Sequence, residues 1–323
     1  MELICNLNNS IGSKPVLNLT QADIADRLTY DRLIPAMEKA LTAFSTGAVI
    51  QPVRNMIEIE ASKRYLGVMP AVSASMMGAK LVCFYPGNAE GGLDTHFATI
   101  LLFETPHGRP VAVMDGTLIT EMRTAAVSAA VTKRLAPPES RRLALLGAGV
   151  QAAAHLEALR SILLLDEVRV WSRTPERAES FAKKHGARAM APEEAVRDAD
   201  VIVTATHAIE PILQGRWLKE GAHVNAIGAP RPNWRELDDT AMDNLLIVDS
   251  REAAVKESGD VILSGARIFA EAGEIFAGIR TAPSSKTTIF KAVGLAIEDI
   301  AAAELVCELY ADAARGSGLR LGD

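Results

Sequence analysis

The sequence predicts an α/β protein in two parts: a doubly wound parallel sheet and a discontinuous α+β companion. Three observations carry this. From Arg142 onward, short apolar runs alternate with helical patterns. Before that point, short apolar runs follow one another with Gly, Pro and Asn between them. The first alternating pair, "LALLGAGVQAAA", is joined by a glycine-rich turn. Strand–helix alternation implies parallel pairing, and closely spaced strands imply antiparallel pairing.

In chain order, residues 17–46 read as a helix-rich start. Thr20 stands as an N-cap in "TQADIADRL", and "LIPAMEKALTAF" has helical apolar spacing. "YLGVMPAVS", "AKLVCFYP", "FATILLFET" and "PVAVMDGTLIT" read as an antiparallel sheet. The Ala-rich stretch Met122 to Ala136 reads as a helix stopped by Pro137-Pro138. Then come the strands "RRLALLGAG", "EVRVWS", "DVIVTAT", "HVNAIGA" and "LLIVDS", with helices "VQAAAHLEALRSIL" and "PERAESFAKKHG" after the first two. A helical pattern from Lys291 to Ala314 closes the chain ahead of "RGSGLRLGD" and is expected to return it to the first part. The break between parts falls in or beside the 122–136 helix. The expected division is 1–124 with 302–323 for the discontinuous part, and 125–301 for the parallel sheet.

A length of 323 residues accommodates two domains, and 49% apolar with 23% charged residues is an ordinary globular balance. No apolar run approaches the roughly 20 residues that span a bilayer, so no membrane partner is expected. "MELICNLNNSIGSK" lacks the basic start and apolar core of a signal peptide. Cys5, Cys83 and Cys307 are odd in number and far apart, which fits a reducing cytoplasm. A net charge of −6 argues against general nucleic-acid binding, so an anionic ligand must be held by local cations. The six histidines are scattered without metal-ligand spacing, and no nucleophile elbow or catalytic triad is visible.

The turn Gly147-Ala148-Gly149, with Ala152 in the third slot, is the G-x-G-x-x-A pattern of a dinucleotide-binding loop. Gly147 permits the tight turn, Gly149 lets backbone approach a pyrophosphate, and Ala152 lets helix and strand pack closely. The helix N-terminus then faces the negative charge. After the next strand, an enzyme using the unphosphorylated cofactor places an acid to accept from a ribose hydroxyl. Here the residues are Ser172, Arg173 and Thr174. Two hydroxyls around a guanidinium fork suit a 2′-phosphate, which predicts NADPH over NADH.

Three cations lie in otherwise apolar text: Arg54 in "IQPVRN", Lys80 in "GAKLVCFYP" and Arg123 in "ITEMRTAAVSAA". A cation in such surroundings is costly to bury unless it meets an anion. Arg123 reads as opening a helix whose other face is small, with few local partners. It is expected to grip a substrate carboxylate; a structural ion pair is the alternative. His96, in "LDTHFAT", reads equally as a polar site residue or a strand-edge histidine.

These segments, together with "NAIGAPRPNWRELDD", "VDSREAAVKESGD" and "TTIFKAVGLAIEDIAAA", resemble the ornithine cyclodeaminase/mu-crystallin family over essentially the whole chain, and within it the ketimine reductase branch. The resemblance implies a Rossmann-type domain set between two parts of a substrate-binding and dimerisation domain, in a homodimer. It implies a substrate pocket lined by Arg54, Lys80 and Arg123, with Lys80 and Arg123 serving catalysis. Gly147, Ala148, Gly149, Val150 and Gln151 would hold the pyrophosphate, and Ser172, Arg173 and Thr174 the 2′-phosphate. Thr206, Ile227 and Gly294 would lie along the nicotinamide. Glu257 falls in a family segment, but its spacing assigns it no role. The sequence departs at Gly228-Ala229-Pro230-Arg231, where the cyclodeaminases carry an aspartate; here no carboxylate follows until Glu236. Without that base, amine attack and ammonia loss are poorly supported.

The leading expectation is therefore NADPH-dependent reduction of a cyclic ketimine carboxylate, 1-pyrroline-2-carboxylate or 1-piperideine-2-carboxylate, to L-proline or L-pipecolate. Ornithine cyclodeamination, an alanine-type open-chain dehydrogenase, and non-enzymatic small-molecule binding of a thyroid-hormone-like ligand are the alternatives.

Overall fold

A computed structural model describes residues 15–61 and 63–316. Cys5, most of the N-terminal segment and most of the Gly-rich C-terminal segment lie outside the described residues. The first sheet comprises β1 (Leu17–Leu19), β2 (Asn55–Glu60), β3 (Arg64–Val72), β4 (Met76–Phe84), β5 (His96–Glu104) and β6 (Pro110–Asp115), in the order β1-β6-β5-β4-β3-β2. Pairing is antiparallel from β3 to β6, as the sequence predicts, and β2, which the sequence reading did not include, adds to the same antiparallel set. The exception is β1, which lies parallel to β6. Only three residues form it, too few for a pattern to show, so the start of the chain is not purely helical.

Thr20 caps α1 (Gln21–Ala25) through a capping box with Asp23. In α2 (Tyr30–Ser45) the buried residues Tyr30, Leu33, Ile34, Met37, Ala40 and Leu41 recur at helical spacing. Helix α3 (Thr117–Leu135) begins five residues earlier than its Ala-rich text suggests, because Asp115 accepts from the backbone N–H of Thr117 and Leu118. Arg123 therefore sits in the second turn rather than opening the helix.

The second sheet holds β7 (Arg142–Leu146), β8 (Glu167–Trp171), β9 (Arg188–Ala189), β10 (Val201–Thr204), β11 (His223–Ala226), β12 (Leu245–Val248), β13 (Ile268–Glu271) and β14 (Thr288–Lys291). Its order is β13-β12-β14-β11-β10-β7-β8-β9, all parallel. The crossovers carry α4 (Val150–Arg160), α5 (Pro175–His185), α6 (Pro192–Val196), α7 (Asp239–Met242), α8 (Arg251–Glu257), α9 (Gly259–Ser264) and α10 (Ala272–Phe276). The order reverses between β7 and β10, the position where doubly wound sheets open a ligand crevice. Strands β10, β11 and β14 are buried on both faces, as in covered parallel sheets.

The closing helix α11 (Ala296–Gly316) starts five residues later than the sequence pattern suggests. Thr288–Lys291 is a central strand, and Gly294, at φ +85°, turns the chain into the helix. The expected division at 124/125 and 301/302 thus cuts through α3 and α11, both of which are continuous.

Two cores result. Met69, Ile100, Leu102 and Met114 from the first sheet join α2, α3, α11 and one face of the second sheet. The other face of the second sheet makes a separate core. Successive residues of β7 show the division: Leu143 and Leu145 enter the first, Ala144 and Leu146 the second. Buried polar links tie the layers together. His155 donates or accepts at Ser128 Oγ (2.9 Å) between α4 and α3. Asn225 on β11 donates to Thr132 Oγ1 on α3 (2.9 Å).

Candidate active site

The C-terminal ends of the parallel strands form one wall of a cleft. Gly147 ends β7 at φ +127°, and a Cβ there would stand 2.5 Å from the Ala205 carbonyl oxygen, so only glycine fits. Helix α4 begins at Gly149 with no side-chain cap, leaving its first N–H groups free for an anion. Val150 is exposed, and Gln151 Oε1 is buried without a partner among the described residues. Past β8, Ser172 reaches the N–H of Thr174, while Arg173 is exposed with no ion pair or hydrogen bond among the described residues, Glu176 included. A free helix N-terminus, a glycine at close approach and an unpaired guanidinium one strand over are features that suit a dinucleotide.

Thr206 and Ile227 follow β10 and β11. Thr206 is held by Glu236, which is fully buried. Glu236 accepts from Thr204 Oγ1 (2.7 Å), Thr206 N (2.6 Å), Thr206 Oγ1 (2.7 Å) and Gly228 N (2.9 Å). Both its oxygens are spent on fixing the cleft wall. Ala229 in the following turn is buried at φ +52°, a conformation strained for a side chain.

The three cations come together where the first sheet, α3 and α11 meet that wall. Lys80 Nζ stands 2.7 Å from Asp299 Oδ2 and donates to Thr120 Oγ1 at 3.3 Å. Arg123 donates from Nη1 to Glu298 Oε2 (2.6 Å) and from Nε to Asp299 Oδ1 (3.0 Å). Arg54 grips Glu257 with Nε and Nη2 (2.6 Å at the shortest) and also donates to the Val293 carbonyl. Gly294 touches the cluster, since a Cβ on it would stand 2.9 Å from Arg123 Nη1. Its N–H donates to Asp249 Oδ2 (2.7 Å). A pocket lined by Gln51, Arg54, Met69, Glu257 and Gly294 opens onto this group. Burial, together with the charges of Arg123 and Arg54, pushes the Lys80 ammonium down to about 8, against the pull of Asp299.

The expectation that Arg123 has few partners is corrected by these contacts. Glu298 and Asp299 meet it from α11, 175 and 176 residues away. Their signal was present in the sequence as two adjacent acids inside the apolar "LAIEDIAAA". Glu257, without a role from spacing, is the partner of Arg54. Asp249 and Glu236 carried no sequence signal of comparable strength.

A third group closes one end of the cleft. Arg231 lies over the rings of Tyr65 (4.5 Å), Trp234 (4.6 Å) and Phe84 (5.4 Å), and donates to the Tyr65 hydroxyl (3.0 Å). His96 packs on Phe84 at 4.5 Å, and His207 faces the same ring from the other lobe. His96 therefore stands at the cleft margin on a strand end.

A profile of the ornithine cyclodeaminase/mu-crystallin family matches residues 15–314. The ketimine reductase mu-crystallin of Mus musculus is 50% identical over 302 residues, covering 90% of this chain and 96% of that protein. Among solved structures, the Δ1-pyrroline-2-carboxylate reductase of Thermococcus litoralis, in complex with NADH and L-proline, superposes with a TM-score of 0.87 at 34% identity. It covers 94% of this chain and 99% of its own. An archaeal alanine dehydrogenase dimer with bound NAD superposes at 0.86 and 32% identity, covering 94% and 97%. Sequence, fold and cleft together place the chain in the ornithine cyclodeaminase/mu-crystallin family.

Proposed function

We propose that the chain is an NADPH-dependent reductase of cyclic ketimine carboxylates, turning 1-pyrroline-2-carboxylate or 1-piperideine-2-carboxylate into L-proline or L-pipecolate. The observation that carries the reading is the buried cation cluster Arg54, Lys80 and Arg123, placed beside Gly294 at the cleft that begins at the glycine loop. Half-identity to a ketimine reductase across 90% of the chain supports it.

Gly147, Ala148, Gly149, Val150 and Gln151 would hold the pyrophosphate, Ser172, Arg173 and Thr174 the 2′-phosphate, and Thr206, Ile227 and Gly294 the nicotinamide half. When bound, the reduced cofactor supplies a hydride for the C=N carbon. Arg123 and Arg54 grip the substrate's carboxylate, which fixes the ring in the cleft. Lys80, charged below pH about 8, orients the same carboxylate and keeps a proton available at the ring nitrogen. The aromatic wall of Tyr65, Phe84 and Trp234 excludes water from one side. The Glu236 carboxylate is consumed by four donors, so it offers no base to an attacking amine. This favours reduction over cyclodeamination.

The same reading includes a cytoplasmic homodimer with 1–124 and 302–323 as its substrate-binding and dimerisation part. The outer face of the first sheet supports it: Phe97, Leu81 and Ile57 are exposed there beside edge strand β2. The test is a substrate panel with NADPH and NADH: the two cyclic ketimines, pyruvate with ammonia, and ornithine with oxidised cofactor. Oxidation of NADPH by a cyclic ketimine is expected. Ammonia release from ornithine, or faster turnover of pyruvate, would replace the reading.

A further inference from the structure

Beneath the cleft, seven charges share one cluster, with Arg54 and Glu257 part-buried and the rest buried: Arg54, Lys80 and Arg123 are positive, and Asp249, Glu257, Glu298 and Asp299 are negative. The chain alone thus supplies one carboxylate more than it has cations. An incoming substrate carboxylate would add a fifth negative charge against the three protein cations and the ligand's own protonated nitrogen, so carboxylates would still outnumber cations. Like charges packed this way do not all stay ionised.

The four carboxylates are not equally placed to yield. Burial pushes the Asp249 carboxyl up, but it accepts three backbone N–H bonds that pull the other way, from Ser250 on Oδ1 (2.8 Å) and from Val293 and Gly294 on Oδ2 (2.7 Å each), so both its oxygens are engaged. Glu257 is held by the Arg54 fork. Asp299 lies between Arg123 and Lys80. Glu298 has one oxygen, Oε2, on Arg123; the other, Oε1, is buried with no hydrogen-bond partner among the described residues. An unpartnered buried carboxylate oxygen is where a proton costs least, and the O–H it forms is a donor.

We infer that seating the substrate's carboxylate in this cluster draws one proton from solvent onto Glu298, and that the proton leaves with the product's carboxylate. The inference rests on the reading that Arg123 binds that carboxylate. The uptake is a balanced step: an ionised Glu298, a substrate carboxylate and one solvent proton give a neutral Glu298 beside the bound carboxylate. The neutral acid offers the ligand a hydrogen bond in place of a like charge.

The groups acting on Glu298 are Arg123 from α3, Asp249 just past β12, Asp299 on α11 and, more weakly, the backbone N–H of Leu295. Lys80 on β4 pairs with Asp299, Arg54 pairs with Glu257 and acts on Asp249, and the charge of Lys80 is felt by His96 on β5. Helix α2 turns Leu33, Met37 and Leu41 inward, and β3 turns Met69. Burial, with Asp249 and Asp299 nearby, pushes the Glu298 carboxyl up to about 7 before any ligand arrives, against the pull of Arg123. Uptake is therefore greatest just above neutrality.

The experiment measures protons taken up when L-proline binds the NADPH-saturated enzyme, a complex that cannot turn over. Calorimetry is run in buffers of different ionisation heat from pH 6 to 9.5. Proline's nitrogen arrives already protonated and cannot account for uptake. Uptake should rise from about half a proton per site at pH 7 to nearly one at pH 8, with proline affinity falling about fivefold over that unit. Glu298→Gln mimics the neutral acid; it should bind proline without uptake, with affinity flat over that range. Glu298→Asp should restore the uptake. Absence of uptake in the wild type, or equal uptake in Glu298→Gln, overturns the inference. So does wild-type uptake appearing only above pH 8, because that places the proton on Lys80; this arm stands even if the variants do not fold. Ketimine turnover measured on the same preparation separates the two levels: turnover without proton uptake sinks this inference alone, while no turnover of any ketimine sinks the reading beneath it.

Discussion

Arg123 and Arg173 are both placed to meet an anion, yet their surroundings are opposite. Arg123 is nearly sealed, with 7% of its side chain exposed and two acids already on it. Arg173 stands in water at the end of β8 with no partner among the described residues. At Arg123 the cost of desolvating the guanidinium is met during folding, and the fork is held in place before a ligand arrives. At Arg173 nothing is organised in advance, and the attraction must come from the charge of the phosphate itself. The buried cation is suited to aligning a reacting ring. In the proposed function, the open one would choose between cofactors that differ by one phosphate.

The sharpest way to break this contrast is Arg123→Lys. An ammonium keeps the charge but cannot hold Glu298, Asp299 and a carboxylate at once. Steady-state kinetics should show kcat/KM for the ketimine falling roughly a hundredfold, with NADPH affinity nearly unchanged. Wild-type kinetics in a variant of normal melting temperature would make Arg123 purely structural.

Next in size is Arg173→Ala. NADPH binding should weaken by about 1.5–3 kcal/mol, the value of charge-assisted hydrogen bonds, while NADH binding stays as it was. Equal losses for both cofactors in a fluorescence titration would remove the 2′-phosphate assignment.

Smaller still is the response to salt. Raising ionic strength from about 0.05 to 0.5 M should weaken NADPH binding several-fold, since an exposed pair is screened. The effect on the Michaelis constant of the ketimine should be less than twofold. A larger effect on the ketimine would mean that the buried cluster is open to solvent.

The two regions also differed in how readily the sequence disclosed them. The glycine loop, the strand after it and Arg173 are contiguous, so their order along the chain nearly equals their order in space. The alternation of strands and helices was legible for the same reason: each βα unit is local. The cation cluster was legible only on one side. Arg54, Lys80 and Arg123 stood out as charges in apolar text, but their partners Glu257, Glu298 and Asp299 lie 175 to 219 residues away. No local pattern pairs residues at such a distance. The short strands β1 and β9 were missed because two or three residues show no periodicity. Helix α3 was read too short because its first turns are capped by Asp115 rather than announced by alanine.

The histidine pair within the core gives the molecule an acid limit. His155 and His223 are fully buried, and burial pushes each imidazole down to about 4 from an ordinary 6.5. Both are neutral when folded, with their ring nitrogens engaged by Ser128 and the Gln151 carbonyl, and by Thr288 and Asn225. The unfolded chain binds protons at these positions below about pH 6.5; the folded chain does not until about 4. Their contribution to stability is thus complete above 6.5 and drains away as pH falls from 6.5 to 4, on the order of 3 kcal/mol for each. The enzyme should therefore tolerate alkali better than mild acid, and a denaturant midpoint that falls steadily between pH 6.5 and 4.5, less steeply in His155→Gln, would be the mark of it. In a compartment that acidifies, the fold would therefore begin to loosen only after Glu298, near 7, has started to gain its proton.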